Sequence, residues 1–223
     1  MPARTYTLRE SSMTPDTDES AELLRRAGAG DADALNALLA LYRDRLRGMV
    51  RLRLNRRLQG RIDPSDVIQE AFVDICKGLP DYLRAPSLPF FLWLRHVTGQ
   101  KLIALHRRHL GAQMRDAEQE VSLCHGAWPQ ATSESLAAQL LGRLTSASRA
   151  AIRAEDQRLV QEALNAMDPI DREVLALRHF EMLSNEETAQ VLGLKKSAAS
   201  NRYIRALKRL KDILASIPGF LDS

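Results

Sequence analysis

Apolar residues recur at spacings of three and four along most of this chain, and no alternating run is bounded by turns; that period predicts helices, not strands. Asp31 reads as the cap of a helix from about Ala32 to Leu58. Its apolar stripe is Leu35, Leu38, Leu39, Tyr42, Leu46, Met49 and Val50, and Gly60 follows. Its second half is crowded with arginine, at Arg43, Arg45, Arg47, Arg51, Arg53, Arg56 and Arg57. In "DPSDVIQEAF", Asp63 is the expected N-cap, Pro64 the first helical residue and Asp66 the third. Val67, Ile68, Ala71, Phe72 and Ile75 would face inward, with Gly78 and Pro80 ending the helix. The prolines of "LPDYLRAPSLP" predict a loop over 79–89, before a strongly apolar helix, "FFLWLRHVTGQKLIALHRRHL".

Periodicity weakens after Gly111, where Ala, Ser, Gln and Gly dominate to about Ser148; this predicts a linker with one transient helix at most. Helical patterning resumes at Ala154, with Leu159, Val160, Ala163, Leu164 and Met167 on one face. "DPIDREVLALRHF" predicts another helix that starts on Asp-Pro. In "SNEETAQVLGL", Ser184 and Glu187 have capping-box spacing and Gly193 supplies a turn. A last helix buries Ala199, Tyr203, Ala206, Leu207, Leu210 and Leu214. The fold class is therefore all-α: two small helical domains joined by a flexible linker. The boundaries read 1–18 for a disordered arm, 19–110, a linker over 111–153, 154–216, and a tail over 217–223.

Composition agrees: in 223 residues, 45% hydrophobic content supports buried cores, and 5% aromatic content offers little to strands. The net charge of +4 is small, so the clustering of the basic residues carries the information. No apolar run approaches the ~18 residues of a membrane span, and the opening twelve residues lack the apolar core of a signal peptide; Met13 is an alternative start. Membrane insertion is not expected. Cys76 and Cys124 have no metal-ligand spacing, and a reduced, cytoplasmic setting fits. His106, His109, His125 and Cys124 match no zinc pattern, so no metal is expected. Neither a cofactor motif nor a catalytic constellation stands out, which argues against an enzyme.

From Leu192 to Lys211 the chain carries seven Lys or Arg and no acidic residue. A short helix, a glycine turn and a basic helix form the helix-turn-helix pattern. Lys196, Ser197, Ser200, Asn201, Arg202, Arg205, Lys208 and Arg209 lie off the main apolar stripe. Asn201 suits an adenine edge, the serines suit several bases, and the cations suit phosphates. A solvated basic face is the plain alternative, but the capping box and the lack of acids favour DNA contact.

"IDPSDVIQEAFVDI" with "FFLWLRHVTGQKLIALHRR" resembles region 2 of bacterial sigma factors, and "LNAMDPIDREVLALRHFEMLSNEETAQVLGLKKSAASNRYIRALKRLK" resembles region 4. Their order, with only a linker between, is similar to extracytoplasmic-function (ECF) sigma factors. The resemblance implies core RNA polymerase, through its β′ clamp coiled coil and β flap, and promoter DNA as partners, with an anti-sigma factor as a further one. It assigns Asp66, Gln69, Glu70 and Phe72 to the clamp. It assigns the 79–89 loop to the −10 element, where Tyr82, Arg84, Phe90, Arg95 and Lys101 suit a single strand held by stacking and phosphate contacts, and Arg107 and Arg108 suit duplex phosphate. The basic helix would then read −35 DNA. Departures from the family pattern include His96 to Gln100 after the Trp-Leu pair and the prolines of the loop. Gly99 inside a helix costs about 1 kcal/mol relative to alanine and predicts a kink or a close contact. A free-standing dimeric helix-turn-helix regulator, or a helical adaptor with merely solvated basic faces, remains the alternative.

Overall fold

The computed structural model describes residues 18–55, 57–110, 130–144 and 152–215. The elements are α1 (Asp18–Gly28), α2 (Ala32–Arg53), α3 (Pro64–Arg84), α4 (Phe90–Leu110), α5 (Ser133–Leu144), α6 (Ile152–Asn165) and α7 (Pro169–Leu175). A π-helical turn (Ala176–Phe180) continues α7, and α8 (Asn185–Leu192) and α9 (Lys196–Ala215) follow. Among the described residues the only β pairing is an isolated bridge, Gln59 to Ile62, so the chain is all-α. The 1–17 arm, most of the connector, Arg56, Cys124, His125 and the 216–223 tail lie outside the described residues.

The caps form where local chemistry puts them. Asp31 Oδ1 accepts the Ala34 N–H (3.0 Å), Asp63 Oδ1 that of Ser65 (2.7 Å) and Asp168 Oδ1 that of Ile170 (2.8 Å). Ser184 and Glu187 complete a reciprocal capping box (3.1 and 2.7 Å). Gly193 ends α8 at φ 62°, the left-handed region that glycine occupies without strain.

Three expectations change. Helix α2 stops at Arg53 rather than Leu58: Leu54 turns extended, and both Leu54 and Leu58 are buried in a cluster with Met49, Val67 and Leu102. Helix α3 continues through Gly78 and Pro80 to Arg84, so the expected 79–89 loop shrinks to 85–89. A proline inside a helix costs about 3 kcal/mol. Here Leu79 is buried, Tyr82 stacks on Trp93 with centroids 4.7 Å apart, and the Tyr82 hydroxyl donates to the Leu88 carbonyl (3.0 Å). Gly78 has a packing role, since a Cβ there would lie 3.3 Å from Trp93 Cζ2. Within the expected linker, Ser133–Leu144 is a helix with Leu136, Ala137 and Leu141 buried against Val160 and Leu164. Helix α1, which the periodicity reading had left out, puts Ala27 into the core with Leu23 and Leu24 packed around it.

The two halves interlock. Helices α1 to α4 surround Leu38, Tyr42, Leu46, Ile75 and Phe91, and Leu177 and Leu183 from the second half complete that cluster. In return Leu52 of α2 sits in the second half's cluster with Leu164, Leu175 and Phe180. Each such leucine removed from water contributes about 1.5–3 kcal/mol. Gly48 makes this approach possible: a Cβ there would meet the Phe180 carbonyl oxygen at 2.6 Å.

Helix α4 is held to the end of α2 by His106, whose Nε2 accepts the Asn55 N–H (3.2 Å). Burial holds the imidazole below its ordinary value of 6.5. The folded chain therefore takes up this proton less readily than the unfolded chain, and stability should fall as the pH drops below that ordinary value. His106→Gln keeps an acceptor without titrating and should flatten the loss. Urea melts at about pH 7.5 and 5.5 check this; equal losses in both proteins would assign the effect to another group.

Candidate functional site

The helix-turn-helix is set by α8, the Gly193 turn and α9. Ala199, Ala206 and Leu210 anchor α9 inward, with Tyr203 and Leu207 partly buried beside them. Asn185 Nδ2 donates to the Lys196 carbonyl (3.0 Å) and fixes the start of α9 against α8. Lys196, Ser197, Asn201 and Lys208 are exposed, and Ser200 is half-buried. Lys196 Nζ lies 3.2 Å from Glu186, with both side chains mostly in solvent. Ile204, 63% exposed, stands on the same stripe as Ser200, Asn201 and Lys208. Sequence reasoning passed over it, although its helical spacing from Ser197 and Asn201 was a usable signal. An exposed apolar side chain at this place suits a thymine methyl group.

The arginines of this helix divide differently from the cations around them. Asp171 of α7 receives Arg202 Nη1 at 2.8 Å and Arg205 through Nε and Nη2 at 2.9 and 3.0 Å. Burial pushes the Asp171 carboxyl up, but the hydrogen bonds from Arg205 and Arg202 outweigh it and hold the group below its ordinary value. The carboxylate ties α9 to α7. Arg202 is mostly covered, whereas the Arg205 side chain remains 60% exposed and can still meet a phosphate on its outer edge. No sequence signal identified Asp171, because its partners lie 31 and 34 residues away.

The expected −10 residues split as well. Tyr82 forms a half-buried stacked pair with Trp93, a residue outside the expected set, and Phe90 supports them from the core at 5.6 and 5.7 Å. Arg107 and Arg108 are exposed. Arg84 pairs with Asp81 (2.7 Å) and Lys101 with Asp74 (2.6 Å), both near the surface. Arg95 is different: it is buried, with Nε 2.6 Å from Glu181 Oε2. The expectation of a nucleic-acid-facing Arg95 does not hold in this arrangement, because the second half covers it.

Glu181 is the centre of a buried ion cluster across the seam. Arg53 contacts Glu181 and Glu173, and Glu173 also accepts the Ala131 N–H (3.2 Å). Arg45 donates to the Glu181 and Met182 carbonyls (both 3.1 Å), approaches Glu187 at 3.5 Å, and lies over the Phe91 ring. Burial pushes the Glu181 carboxyl up, yet Arg53 and Arg95 outweigh it and keep it below its ordinary value, hence ionised. Burial likewise pushes Arg53 down, and the two carboxylates reverse that. The cluster is not fully paired: among the described residues Arg53 Nε has no hydrogen-bond acceptor, a deficit of about 1–3 kcal/mol.

In the first half, Asp66, Gln69, Glu70 and Val73 form one exposed stripe of α3. Phe72 and Gln69 line a groove of about 400 Å³ between α2 and α3, with Leu39 and Ile68 on its wall and Arg43 also lining it. Val73, half exposed, was not singled out from the sequence. Apolar surface flanked by two carboxylates suits a basic, partly apolar partner.

Residues 157–210 match the family model described as Sigma-70, region 4. The chain is 30% identical over 194 residues to the ECF RNA polymerase sigma factor ShbA of Streptomyces griseus, covering 85% of this chain and 92% of that protein. It is 29% identical over 201 residues to the ECF RNA polymerase sigma factor SigD of Mycobacterium tuberculosis, covering 90% and 86%. The structure of CnrH in complex with the cytosolic domain of CnrY matches with a TM-score of 0.52 and 24% identity, covering 89% of this chain and 99% of that one. This last likeness concerns the fold.

The Asp171 anchor has a direct test. Asp171→Ala should lower stability by about 1–3 kcal/mol, since it removes charge-assisted hydrogen bonds to two arginines. Lys208→Ala, exposed, should stay within about 0.5 kcal/mol of the wild type. Urea unfolding of both variants distinguishes the anchor from the solvated cation.

Proposed function

The chain belongs to the ECF family of RNA polymerase sigma factors, and from that premise we propose that it directs core polymerase to promoters by reading −35 DNA with α9 and holding the −10 strand with the Tyr82–Trp93 face. Sigma factors of this family are initiation factors, so the polymerase performs the chemistry and this chain supplies the address. The observation that carries the reading is the exposed, acid-free start of α9, with Lys196, Ser197 and Asn201 in solvent at the end of a capped helix-turn-helix. Small and polar side chains at the N-terminal end of such a helix let its backbone approach base edges, while Lys208 and the outer edge of Arg205 meet phosphate.

The α3 stripe is the proposed core-polymerase site. Asp66 and Glu70 would meet basic residues of the clamp coiled coil, and Phe72 with Gln69 would line the groove that receives its apolar side. For the −10 element, the stacked Tyr82–Trp93 pair supplies a platform for a base leaving the stack, and Arg107 and Arg108 lie on the same helix as Trp93 for phosphate. CnrH is held with the cytosolic domain of a second protein, CnrY, which supports an anti-sigma partner for this chain too. No helix of the described residues is long and apolar enough to cross a membrane.

A footprint with permanganate reactivity, run with and without core enzyme, tests the reading as a whole. The chain alone should protect duplex promoter DNA weakly, because unpairing costs a few kcal/mol per flipped base; with polymerase, protection should span both elements and thymines near −10 should react. A sharp palindromic footprint from the chain alone, unchanged by polymerase, would instead make it a dimeric regulator. Lysine at both Asp66 and Glu70 should weaken core binding at least tenfold by pull-down titration with unchanged circular dichroism, since both side chains are exposed. Asn201→Ala should alter which −35 sequences are bound. Lys208→Ala should weaken binding to all of them and reduce the log–log salt slope by about 0.9.

A further inference from the structure

Asp171 is out of place on charge alone. Its carboxylate lies against α9, 8% exposed, although α9 carries no acid of its own before Asp212 and duplex DNA repels a negative group. Anchoring α9 to α7 needs one arginine, and the covered Arg202 supplies it at 2.8 Å. Arg205 is held as well, through Nε at 2.9 Å and Nη2 at 3.0 Å, with its side chain 60% exposed. An ion pair with a solvated partner adds little to stability, so this second contact calls for another reason. We propose that Asp171 is a positioning residue for −35 recognition: with Arg202 balancing its charge, it fixes the Arg205 guanidinium so that the outer edge meets a DNA phosphate in one orientation. This deepens the −35 reading of α9 and rests on it.

The shape of the guanidinium sets which edge is presented. Its N–H donors lie in one plane. Asp171 engages the edge made by Nε and Nη2, so the Nη1 end points away from the carboxylate, and most of the side chain stays in solvent. Ser197, Asn201, Arg205 and Lys208 recur at helical spacing, so Arg205 shares a face with the outward polar side chains and the outward lysine. Charge balance makes the arrangement workable. A lone Asp–Arg pair would cancel and offer a phosphate nothing. Here one carboxylate serves two guanidiniums, and the covered Arg202 balances it while Arg205 keeps its charge for a partner. Asp168 also approaches Arg202, at 3.6 Å, but its other oxygen accepts the Ile170 N–H at the start of α7, where the helix dipole offsets its charge. A phosphate contact fixes register as well as adding affinity. A guanidinium locked before binding loses less freedom when that contact forms.

The sign of one substitution tests this. Polymerase reconstituted with the full chain selects duplexes from a library randomised over the −35 element, and the best of them is the binding probe. All variants are compared at a temperature where urea melts show each of them folded. Asp171→Asn keeps the shape and removes the charge. By charge alone it should tighten DNA binding, because a negative group beside the duplex is gone. Positioning requires the opposite, a loss of about fivefold or more. Arg205→Lys keeps a positive charge but cannot hold two oxygens in one plane, and should also lose about fivefold or more. The double variant should bind within about twofold of the weaker single variant, because both changes break one contact.

Tighter or unchanged binding by Asp171→Asn would overturn the proposal. So would losses that multiply in the double variant, which is what a carboxylate acting only on stability would give. Arg205→Lys decides even where Asp171→Asn folds poorly: its side chain is exposed, and full affinity in that variant overturns the positioning whatever the other shows. A wild-type holoenzyme that selects no −35 sequence would overturn the promoter reading and the positioning together. Intact selection with no coupling between Asp171 and Arg205 would overturn the positioning alone.

Discussion

Burying the Glu181 carboxylate between Arg53 and Arg95 is the constraint around which the two halves are arranged. An ion removed from water carries an effective penalty of several kcal/mol, and only well-placed opposite charge offsets it. That requirement forces two guanidiniums from two helices, α2 and α4, to one point, and it forces the turn after α7 to deliver a carboxylate there. The π-helical turn, the positive φ of Met182 and the bare Gly48 surface lie beside it. The apolar contacts supply the favourable energy of the seam, through Leu52 on one side and Leu177 and Leu183 on the other. The ions contribute mainly selectivity: a shifted docking would strand a charge without a partner, so one register is allowed.

The same logic on a smaller scale governs the recognition helix. Asp171 collects Arg202 and Arg205 and so gives α9 a fixed rotation against α7, with Lys196, Ser197, Asn201, Ile204 and Lys208 turned outward. A basic helix therefore contains cations of two kinds, some that hold the helix and some that remain for a partner. Charge alone does not separate them; the depth of the carboxylate does, since Asp171 is buried and Glu186, opposite Lys196, is in solvent.

The surfaces left open are those least involved in the seam. The α3 stripe with Asp66 and Glu70 faces solvent beside its groove, and the stacked Tyr82–Trp93 pair lies half-exposed at the end of α3. Both sit on helices rather than loops, so their side chains are aimed by packed backbone. Pro80 inside α3 shows how firmly: the aromatic packing of Tyr82 against Trp93 and Phe90 carries the helix past a residue that ordinarily ends one.

Much of this was legible in the sequence, because much of it is local. The caps at Asp31, Asp63 and Asp168, the Ser184–Glu187 box and the Gly193 turn act over two to four residues and outcompete nothing distant. The apolar period located most of the helices, and the acid-free stretch after Gly193 located the recognition helix. The errors arose where packing overrode a local rule. Pro80 failed to stop α3, Leu54 ended α2 early, and the segment from Ser133 to Leu144 became core despite a weak pattern. The role of individual charges was not legible at all. Arg95 and Glu181 are 86 residues apart and Asp171 and Arg205 are 34, and nothing within a helical turn of either arginine distinguishes it from a solvated one. Sequence by itself determined the helices and the chemistry available on them; tertiary structure decided which charges were withdrawn from water, because that depends on what the other half of the chain brings to meet them.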